Sequence, residues 1–397
     1  MSIKFFLLGK FMRSIKNKKF LLIIVNNIFI LVLCFYFVQS NTYMGKTAYI
    51  PSGNNILANS KPFFPFGFYY VDYNIPKNLQ SQFKINALTD MANAGFNIIH
   101  TSNSEQPDND RIMLDKAQKL GIYVILEGPA DPEVMDAFKT KSALLGWNIA
   151  DDANSRYTPD VISNRRNKVK KINSNYLTYI SMFSLKPEVI KRYLHTSDLI
   201  GFQSYPISDR YLDSTFYDMK NIVNTSKIYN AAPTIANLQT FKWNEPDSIG
   251  NPQREPTFRE VRNMTYQALL GGVKGIIYFS YRYENWYLPE HQELWNGLKS
   301  LVPEIKIISP ILLNGNLNQI DEEFKNILAG IWINQNQVLA IIINTSHTET
   351  TEVAIKVPAN LSQAKSIFAN RASGLVIKGN ELTGLIKPLD VHVYSLS

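Results

Sequence analysis

"LLGWNIADDAN", residues 144–154, is an apolar run of strand length that ends in two adjacent acids, Asp151 and Asp152. Similar short runs, rich in β-branched and aromatic residues, recur along the chain on both sides of it. They occupy residues 63–70, 96–102, 122–128, 144–151, 176–183, 199–205, 227–239 and 275–281. Their recurrence predicts eight strands separated by longer connecting segments.

The connecting segments have the periodicity and the end signals of helices. "NALTDMANAG" closes on Gly95, "RIMLDKAQKLG" closes on Gly121, and "PTFREVRNMTYQALLGG" begins with a proline and reaches Gly271. Glycine favours a helix C-terminus, and proline favours the first turn. Repeated strand–helix units of this number and size predict an α/β fold, a (β/α)8 TIM barrel over residues 61–303. A doubly wound open sheet ranks second, because no glycine-rich phosphate loop follows the first strand.

The pattern changes after Pro303. Strand-like runs such as "GIWINQNQVLAIIINTS" are separated by turn residues and show no helical period. This texture predicts a small all-β sandwich domain over residues 304–397.

The N-terminus has the pattern of a membrane-targeting segment. Residues 1–19 carry six basic side chains and no acid, and an almost unbroken apolar run follows at 20–40. We therefore interpret residues 1–40 as a signal or transmembrane anchor helix and residues 41–60 as a linker. Positive charge before the run places the remainder outside the cytoplasm. Both a single-pass anchor in the cell membrane and a cleaved signal of a secreted or periplasmic protein remain open.

The formal charge of +8 does not indicate a nucleic-acid partner. Without the six N-terminal cations, the chain has 35 basic and 33 acidic side chains, so its body is close to neutral. Cys34 is the only cysteine, and the five histidines lack ligand spacing. We expect no metal site, no cofactor and no intramolecular disulfide.

The acid pair lies where a barrel enzyme places its site, because the carboxyl ends of the strands face the ligand. "GWNIADDAN" resembles the fourth-strand motif of clan A glycoside hydrolases, in which a Trp-x-x-x-Asp-Glu pattern supplies the general acid/base. "GFQSYPI" (201–207), "IANLQTF" (235–241) and "GGVKGIIYFSY" (271–281) resemble the sixth to eighth strands of such barrels. The resemblance implies that Asp152 is the proton donor and that Asp151 supports it. The alternative is that the two acids start a solvated loop or cap the next helix.

A second carboxyl group is required by most glycosidases. The resemblance puts a nucleophilic glutamate at the end of the seventh strand, but Leu238-Gln239-Thr240 stands there. Glu284 is our first choice for the second group, because "YRYENWY" surrounds it with aromatic rings. Glu127 and Glu245 remain alternatives, and so does a substrate-assisted reaction that needs no protein nucleophile.

Aromatic and amide side chains fall at or near the predicted strand ends. Rings can stack on the apolar faces of sugars, and amides can bond their hydroxyl groups. The rings are Tyr69, Tyr70, Tyr205, Trp243, Tyr281, Tyr283 and Trp286, and the amides are Gln203 and Gln239. From this set, together with Glu127, we predict the substrate-binding residues to be Tyr69, Glu127, Gln203, Tyr205, Gln239, Trp243 and Tyr281. His100 lies at the end of its predicted strand with no other histidine nearby, and we interpret it as a core residue.

Together these features predict a glycoside hydrolase that acts on a poly- or oligosaccharide outside the cytoplasm, with Asp152, Asp151 and Glu284 as its catalytic residues. The missing seventh-strand glutamate motivates an alternative, a catalytically inactive barrel that binds envelope or matrix polysaccharide. A structural assembly protein of the cell envelope is a third possibility.

Overall fold

The computed structural model describes residues 48–49, 55–104, 106–128, 131–184, 186–244, 246, 253–320, 324–335 and 337–397. These residues belong to one unit, Thr47–Ser397. The predicted signal or anchor segment lies outside the described residues, as does Cys34. Within the described part of the chain, no helix has both the length and the apolar character that crossing a membrane requires.

Eight parallel strands form the centre of the fold. They are β1 (Phe66–Tyr70), β2 (Ile98–Thr101), β3 (Tyr123–Glu127), β4 (Leu144–Ala150), β5 (Leu177–Met182), β6 (Leu199–Ser204), β7 (Thr234–Gln239) and β8 (Ile276–Tyr283). Neighbours in sequence pair with each other, and β8 pairs with both β7 and β1. The last pairing closes the sheet, so the predicted eight-stranded barrel is confirmed and the open sheet is excluded.

Helices connect the strands on the outside of the barrel. They are α1 (Lys77–Ala94), α2 (Pro107–Leu120), α3 (Pro132–Ala137), α4 (Ala153–Arg156), α5 (Pro159–Ile172), α6 (Pro187–Tyr193), α7 (Ser214–Ile228), α8 (Phe258–Gly271) and α9 (Gln292–Asn314). Gly95 and Gly121 follow α1 and α2 in the left-handed conformation, with φ of 88° and 70°. A capping box of Thr257 and Glu260 starts α8.

Alternating side chains divide the strands into an inner and an outer face. An inner cluster fills the barrel and includes Ile98, Ile125, Leu199, Ile235 and Ile277. Side chains such as Trp147 point outward and join the larger cluster beneath the helices. Apolar packing on both faces explains why these strands read as nearly continuous apolar runs in the sequence.

Two antiparallel sheets follow the barrel. The strands are β9 (Asn316–Ile320), β10 (Ile327–Asn334), β11 (Gln337–Asn344), β12 (Thr351–Lys356), β13 (Ala364–Ser366), β14 (Val376–Lys378), β15 (Glu381–Ile386) and β16 (Val391–Leu396). One sheet has the order β9-β10-β11-β16-β13 and the other has the order β12-β15-β14. Apolar side chains of both sheets form one shared core. Further β structure behind the barrel is therefore confirmed.

Helix α9 joins the barrel to these sheets. It runs through Pro303 and Pro310 to Asn314, so the change from helix to strand falls after the position 303 inferred from the sequence. Its buried face includes Leu298, Leu301 and Ile305. This continuous apolar packing holds the helix together across both prolines, which otherwise disfavour helix interiors.

Candidate active site

A cavity of about 330 Å³ opens at the carboxyl ends of the barrel strands. Seven of the predicted site residues line it: Tyr69, Asp151, Asp152, Gln203, Tyr205, Trp243 and Glu284. They come from five different strands or the turns after them. The closed barrel therefore brings together residues that are far apart in the sequence.

The acid pair lies in the turn after β4. Asp152 has a φ of 49°, in the left-handed region that few residues other than glycine adopt. Gln203 Nε2 donates to Asp152 Oδ1 at 2.8 Å, and Arg156 Nη2 donates to Asp152 Oδ2 at 3.0 Å. Both carboxylate oxygens thus act as acceptors. These two bonds hold the side chain at the cavity, and the proton-donor role that the resemblance implied for Asp152 stays a prediction.

Asp151 has a different environment although it is the neighbouring residue. The Ser181 hydroxyl donates to its Oδ1. Burial raises the pKa of the Asp151 carboxyl, and the Ser181 hydrogen bond opposes that shift. The Asp151 carboxyl is therefore more easily protonated than the carboxyl of a free aspartate side chain.

The capping alternative for the acid pair is not seen. Asp152 precedes α4, but its side chain makes no cap hydrogen bond to that helix. Its carboxylate points instead to Gln203 on β6. The pair is directed at the barrel mouth.

Glu284 lies in the turn after β8. Because β4 and β8 are four strands apart in an eight-stranded barrel, Glu284 faces the acid pair from the opposite side. Its φ is 49°, as for Asp152, and Asn244 Nδ2 donates to Glu284 Oε2 at 2.5 Å. Burial and the bond to Glu284 raise the pKa of Tyr283 to about 12, so this phenol stays protonated.

Aromatic rings form one wall of the cavity. The rings of Phe279 and Tyr283 lie 5.0 Å apart, and those of Tyr205 and Phe279 lie 5.8 Å apart, between centroids. Trp243 is 37% exposed at the rim. An apolar wall next to carboxyl and amide groups is the usual composition of a small-molecule binding cleft.

The floor of the cavity is a layer of buried polar side chains. His100 stacks on the Tyr69 ring at 4.0 Å, and its Nε2 lies 3.0 Å from Asn148 Nδ2. Burial lowers the pKa of His100 to about 3, so its imidazole is neutral. His100 lines the cavity but remains part of the core packing, as the sequence indicated.

Glu127, predicted to bind substrate, lies beside this cavity. It lines an adjoining cavity of about 580 Å³ at the end of β3. The Tyr69 hydroxyl donates to its Oε1, and the Tyr73 hydroxyl donates to its Oε2 at 3.0 Å. Burial and the nearby Asp151 charge raise the pKa of Glu127 to about 8.

Two predicted substrate contacts are contradicted. Tyr281 is fully buried on the outer face of the barrel, where its hydroxyl donates to Asp90 at 3.1 Å. A register irregularity in β8 between Tyr278 and Arg282 changes the alternation, so Tyr281 faces outward and Tyr283 faces the cavity. Gln239 is also fully buried, and its amide is bonded to Ile207 N and Phe241 O at 2.8 and 3.1 Å.

Two other aromatic candidates are also outside the cavity. Tyr70 is buried in the outer core, and Trp286 stacks on His291 at 3.8 Å. Glu245, an alternative second carboxylate, lies outside the described residues. The sequence analysis missed Arg156, Tyr73 and Asn237, which line the cavity. Arg156 carried a usable signal, because it follows Asp152 by four residues at the start of a helix.

Gly201 on β6 is required for the floor of the cavity. A Cβ atom there would lie 1.7 Å from Tyr179 Oη and 2.8 Å from Asn237 Nδ2. Tyr179 donates to Asn237 Oδ1 at 2.9 Å, so an added methyl group would separate this pair.

We expect Gly201→Ala to reduce the free energy of unfolding by about 1–3 kcal/mol, because the surrounding core is closely packed. Chemical denaturation measures the loss. Combining it with Tyr179→Phe removes the nearest clashing atom and should recover part of the stability. Equal stability of Gly201→Ala and the wild type would contradict this account of the floor.

No protein-family model matches the chain, and no curated protein sequence matches it. Solved structures do match. A family 5 glycoside hydrolase from Bacteroides vulgatus aligns with a TM-score of 0.62 at 12% identity, over 89% of this chain and 93% of that one. Another glycoside hydrolase gives 0.61 at 12% identity, over 88% and 96% of the two chains. An α-amylase from Anoxybacillus gives 0.55 at 11% identity, over 88% and 99%. The predicted likeness to glycoside hydrolase barrels is thereby confirmed at the level of the fold.

Proposed function

We propose that this chain is a glycoside hydrolase that cleaves O-glycosidic bonds of a poly- or oligosaccharide by carboxylate acid/base catalysis. The observation that carries the proposal is the arrangement of Asp151, Asp152 and Glu284 around one cavity. Glycosidic cleavage needs one carboxyl group that gives a proton to the leaving oxygen and another that attacks or activates water. The carboxyl groups that follow β4 and β8 lie on opposite sides of this cavity.

The cavity walls support a sugar as the bound group. Tyr205 and Trp243 present ring surfaces, while Gln203 and Asn237 present amides on the same cavity. Pyranose rings combine apolar faces with equatorial hydroxyl groups, which such a wall can satisfy together. The glycoside hydrolases and the amylase that share the barrel fold support the same reaction class.

A barrel that binds polysaccharide without cleaving it is the second candidate. It is favoured by the end of β7, where Asn237 faces the cavity and the buried Gln239 is bonded to backbone. Neither side chain can serve as a carboxylate nucleophile. This candidate predicts saccharide affinity with no turnover.

The test separates these candidates by measuring turnover and binding on the same protein. We expect the full chain to release 4-nitrophenol from at least one member of a 4-nitrophenyl glycoside panel, or reducing ends from a polysaccharide panel. Affinity electrophoresis in polysaccharide gels measures binding. Retardation without product identifies the binding barrel, and the absence of both favours the structural envelope protein.

We also propose that the barrel acts outside the cytoplasm, tethered to the membrane or released. The support is the order of the N-terminal sequence, in which basic residues precede the apolar run at 20–40. A fusion of alkaline phosphatase after Ser397 should be active in a bacterial host if the barrel is exported. An inactive but stable fusion would contradict this location.

A further inference from the structure

A side cavity of about 580 Å³ adjoins the central cavity, the one that Asp151, Asp152 and Glu284 line. The residues of the side cavity, which include Tyr73 and Gln106, follow β1 and β2 or end β3. Because the carboxyl ends of all barrel strands lie on one face, both cavities open on that face. The proposed cleavage takes place in the central cavity alone.

The lining of the side cavity is polar. Apart from Gly128, every described residue of this lining carries a hydroxyl, amide, carboxyl or ammonium group. Three amides lie together at the turn after β2 and the start of α2, on Asn103, Gln106 and Asn109. A cavity of this composition offers little to an apolar ligand. It suits a ligand with many hydroxyl groups, which both donate and accept hydrogen bonds.

The three amides are held in place by only part of their hydrogen-bonding capacity. Asn103 Nδ2 donates to the backbone oxygen of Glu127 at 2.8 Å. Asn109 Nδ2 donates to Gln106 Oε1 at 3.1 Å. Each amide has two N–H groups and an oxygen that can accept twice, so donors and acceptors remain for a ligand.

Tyr73 lies where the two cavities meet, because it lines both of them. Its side chain is 68% exposed, but its hydroxyl donates to Glu127 Oε2 at 3.0 Å. The other oxygen of the half-buried Glu127 carboxyl group accepts from the Tyr69 hydroxyl. The exposed ring is thus anchored at its polar end. A sugar can stack on such a ring, and little side-chain freedom is lost when it does.

We propose that the side cavity is a second sugar-binding site for the saccharide chain that the central cavity cleaves, with the Tyr73 ring as the stacking surface between the two. This inference rests on the proposed function. The chain passes over Tyr73, and its further sugar units bond to the amides of Asn103, Gln106 and Asn109. Binding energy from these remote units can promote the reaction in the central cavity. The protein should therefore act on oligosaccharides in preference to single glycosides.

Chain length tests the second site. Oligosaccharides of two to six units, prepared from the polysaccharide that the panel identifies, are compared by chromatography of their products. We expect kcat/KM of the full wild-type chain to rise by at least about tenfold over this series, because the added units gain a stacking contact and one or two hydrogen bonds. The same kcat/KM at every length would overturn the proposal.

A bulky substitution assigns the length dependence to the side cavity. Gln106→Trp places a large ring in the cavity from an exposed position directly before α2. Its loss of kcat/KM should grow with chain length and reach about tenfold on the hexasaccharide, where the wild type gains most. Gln82→Trp, on the exposed surface of α1, is the matched control and should keep the wild-type profile. An equal loss at every length would overturn the second site.

Two substitutions of Tyr73 test the stacking surface. Tyr73→Ala should lower kcat/KM on the hexasaccharide by about 3–10-fold, the usual effect of an aromatic contact. Tyr73→Phe keeps the ring and loses only the bond to Glu127, so its loss should be smaller. Tyr217→Ala, at a 56% exposed position on α7, is the control. A Tyr73→Phe protein as impaired as Tyr73→Ala would contradict stacking on the ring.

The proposed function and the second site fail in different ways. A wild-type protein that neither cleaves nor binds any saccharide contradicts both. A wild-type protein that cleaves a saccharide while Gln106→Trp keeps the profile of Gln82→Trp contradicts only the second site. For a barrel that binds without turnover, affinity electrophoresis decides: weaker retardation of Gln106→Trp than of Gln82→Trp supports the second site, and equal retardation overturns it.

Discussion

Asparagine in place of Asp152 is expected to lower kcat for glycoside hydrolysis by about 10²–10⁴-fold, the usual contribution of a positioned acid or base. The amide keeps the shape of the side chain and can still accept from Gln203 or Arg156, so the cavity should stay intact. The amide can neither donate nor accept the proton that a catalytic carboxyl group transfers.

Steady-state kinetics on the most reactive glycoside of the panel measure this effect. KM should change by less than about threefold, because the interaction is lost mainly in the transition state. Asp160→Asn, on the exposed first turn of α5, is the control for the same chemical change away from the cavity. A variant with more than half of the wild-type kcat would contradict any catalytic role of Asp152.

Replacing Glu304 by alanine is expected to reduce the free energy of unfolding by about 3–5 kcal/mol, as when one partner of a buried ion pair is removed. Glu304 Oε2 accepts from Arg262 Nη2 at 2.9 Å and from the Tyr266 hydroxyl at 2.8 Å. All three side chains are buried. The variant would leave the Arg262 guanidinium inside the protein without a counter-ion.

The same ion pair connects the barrel to the sheets behind it. Arg262 Nη1 donates to Val391 O on β16 at 3.2 Å, and Arg371 Nε donates to Glu304 Oε1 at 3.2 Å. Chemical denaturation followed by circular dichroism measures the loss, with Glu352→Ala as the control. Replacing Arg262 and Glu304 together by methionine should recover part of the stability, because no buried charge remains. A Glu304→Ala protein as stable as the wild type would show that the pair does not support this interface.

The barrel was predictable from the sequence because its signals are local. Each apolar run overlaps one strand, and glycines end α1 and α2 as expected. Residues 227–228 of the seventh run belong instead to α7, because a short apolar segment fits the end of a helix as well as the start of a strand. The helical region also continues past Pro303, because the tertiary packing of α9 outweighs the local preference of proline against a helix interior.

The site was predictable only in part. Strand ends identified Asp151, Asp152 and Gln203, because the barrel places all such ends at one mouth. The side of the sheet that a residue faces depends on register, and the irregularity in β8 reversed it for Tyr281. The raised pKa of Glu127 depends on burial in the folded chain and on the charge of Asp151, so no local pattern of residues could reveal it.

The pairing of β1 with β8 joins segments that lie more than two hundred positions apart in the chain. The sheet can therefore close only after the ribosome has synthesised β8. Until then, the edge of β1 that pairs with β8 has unpaired backbone groups. Contacts of such long separation slow folding and leave apolar surface open to association. Yield from overexpression should consequently depend on chaperone supply and growth temperature more than on the intrinsic strength of any single strand.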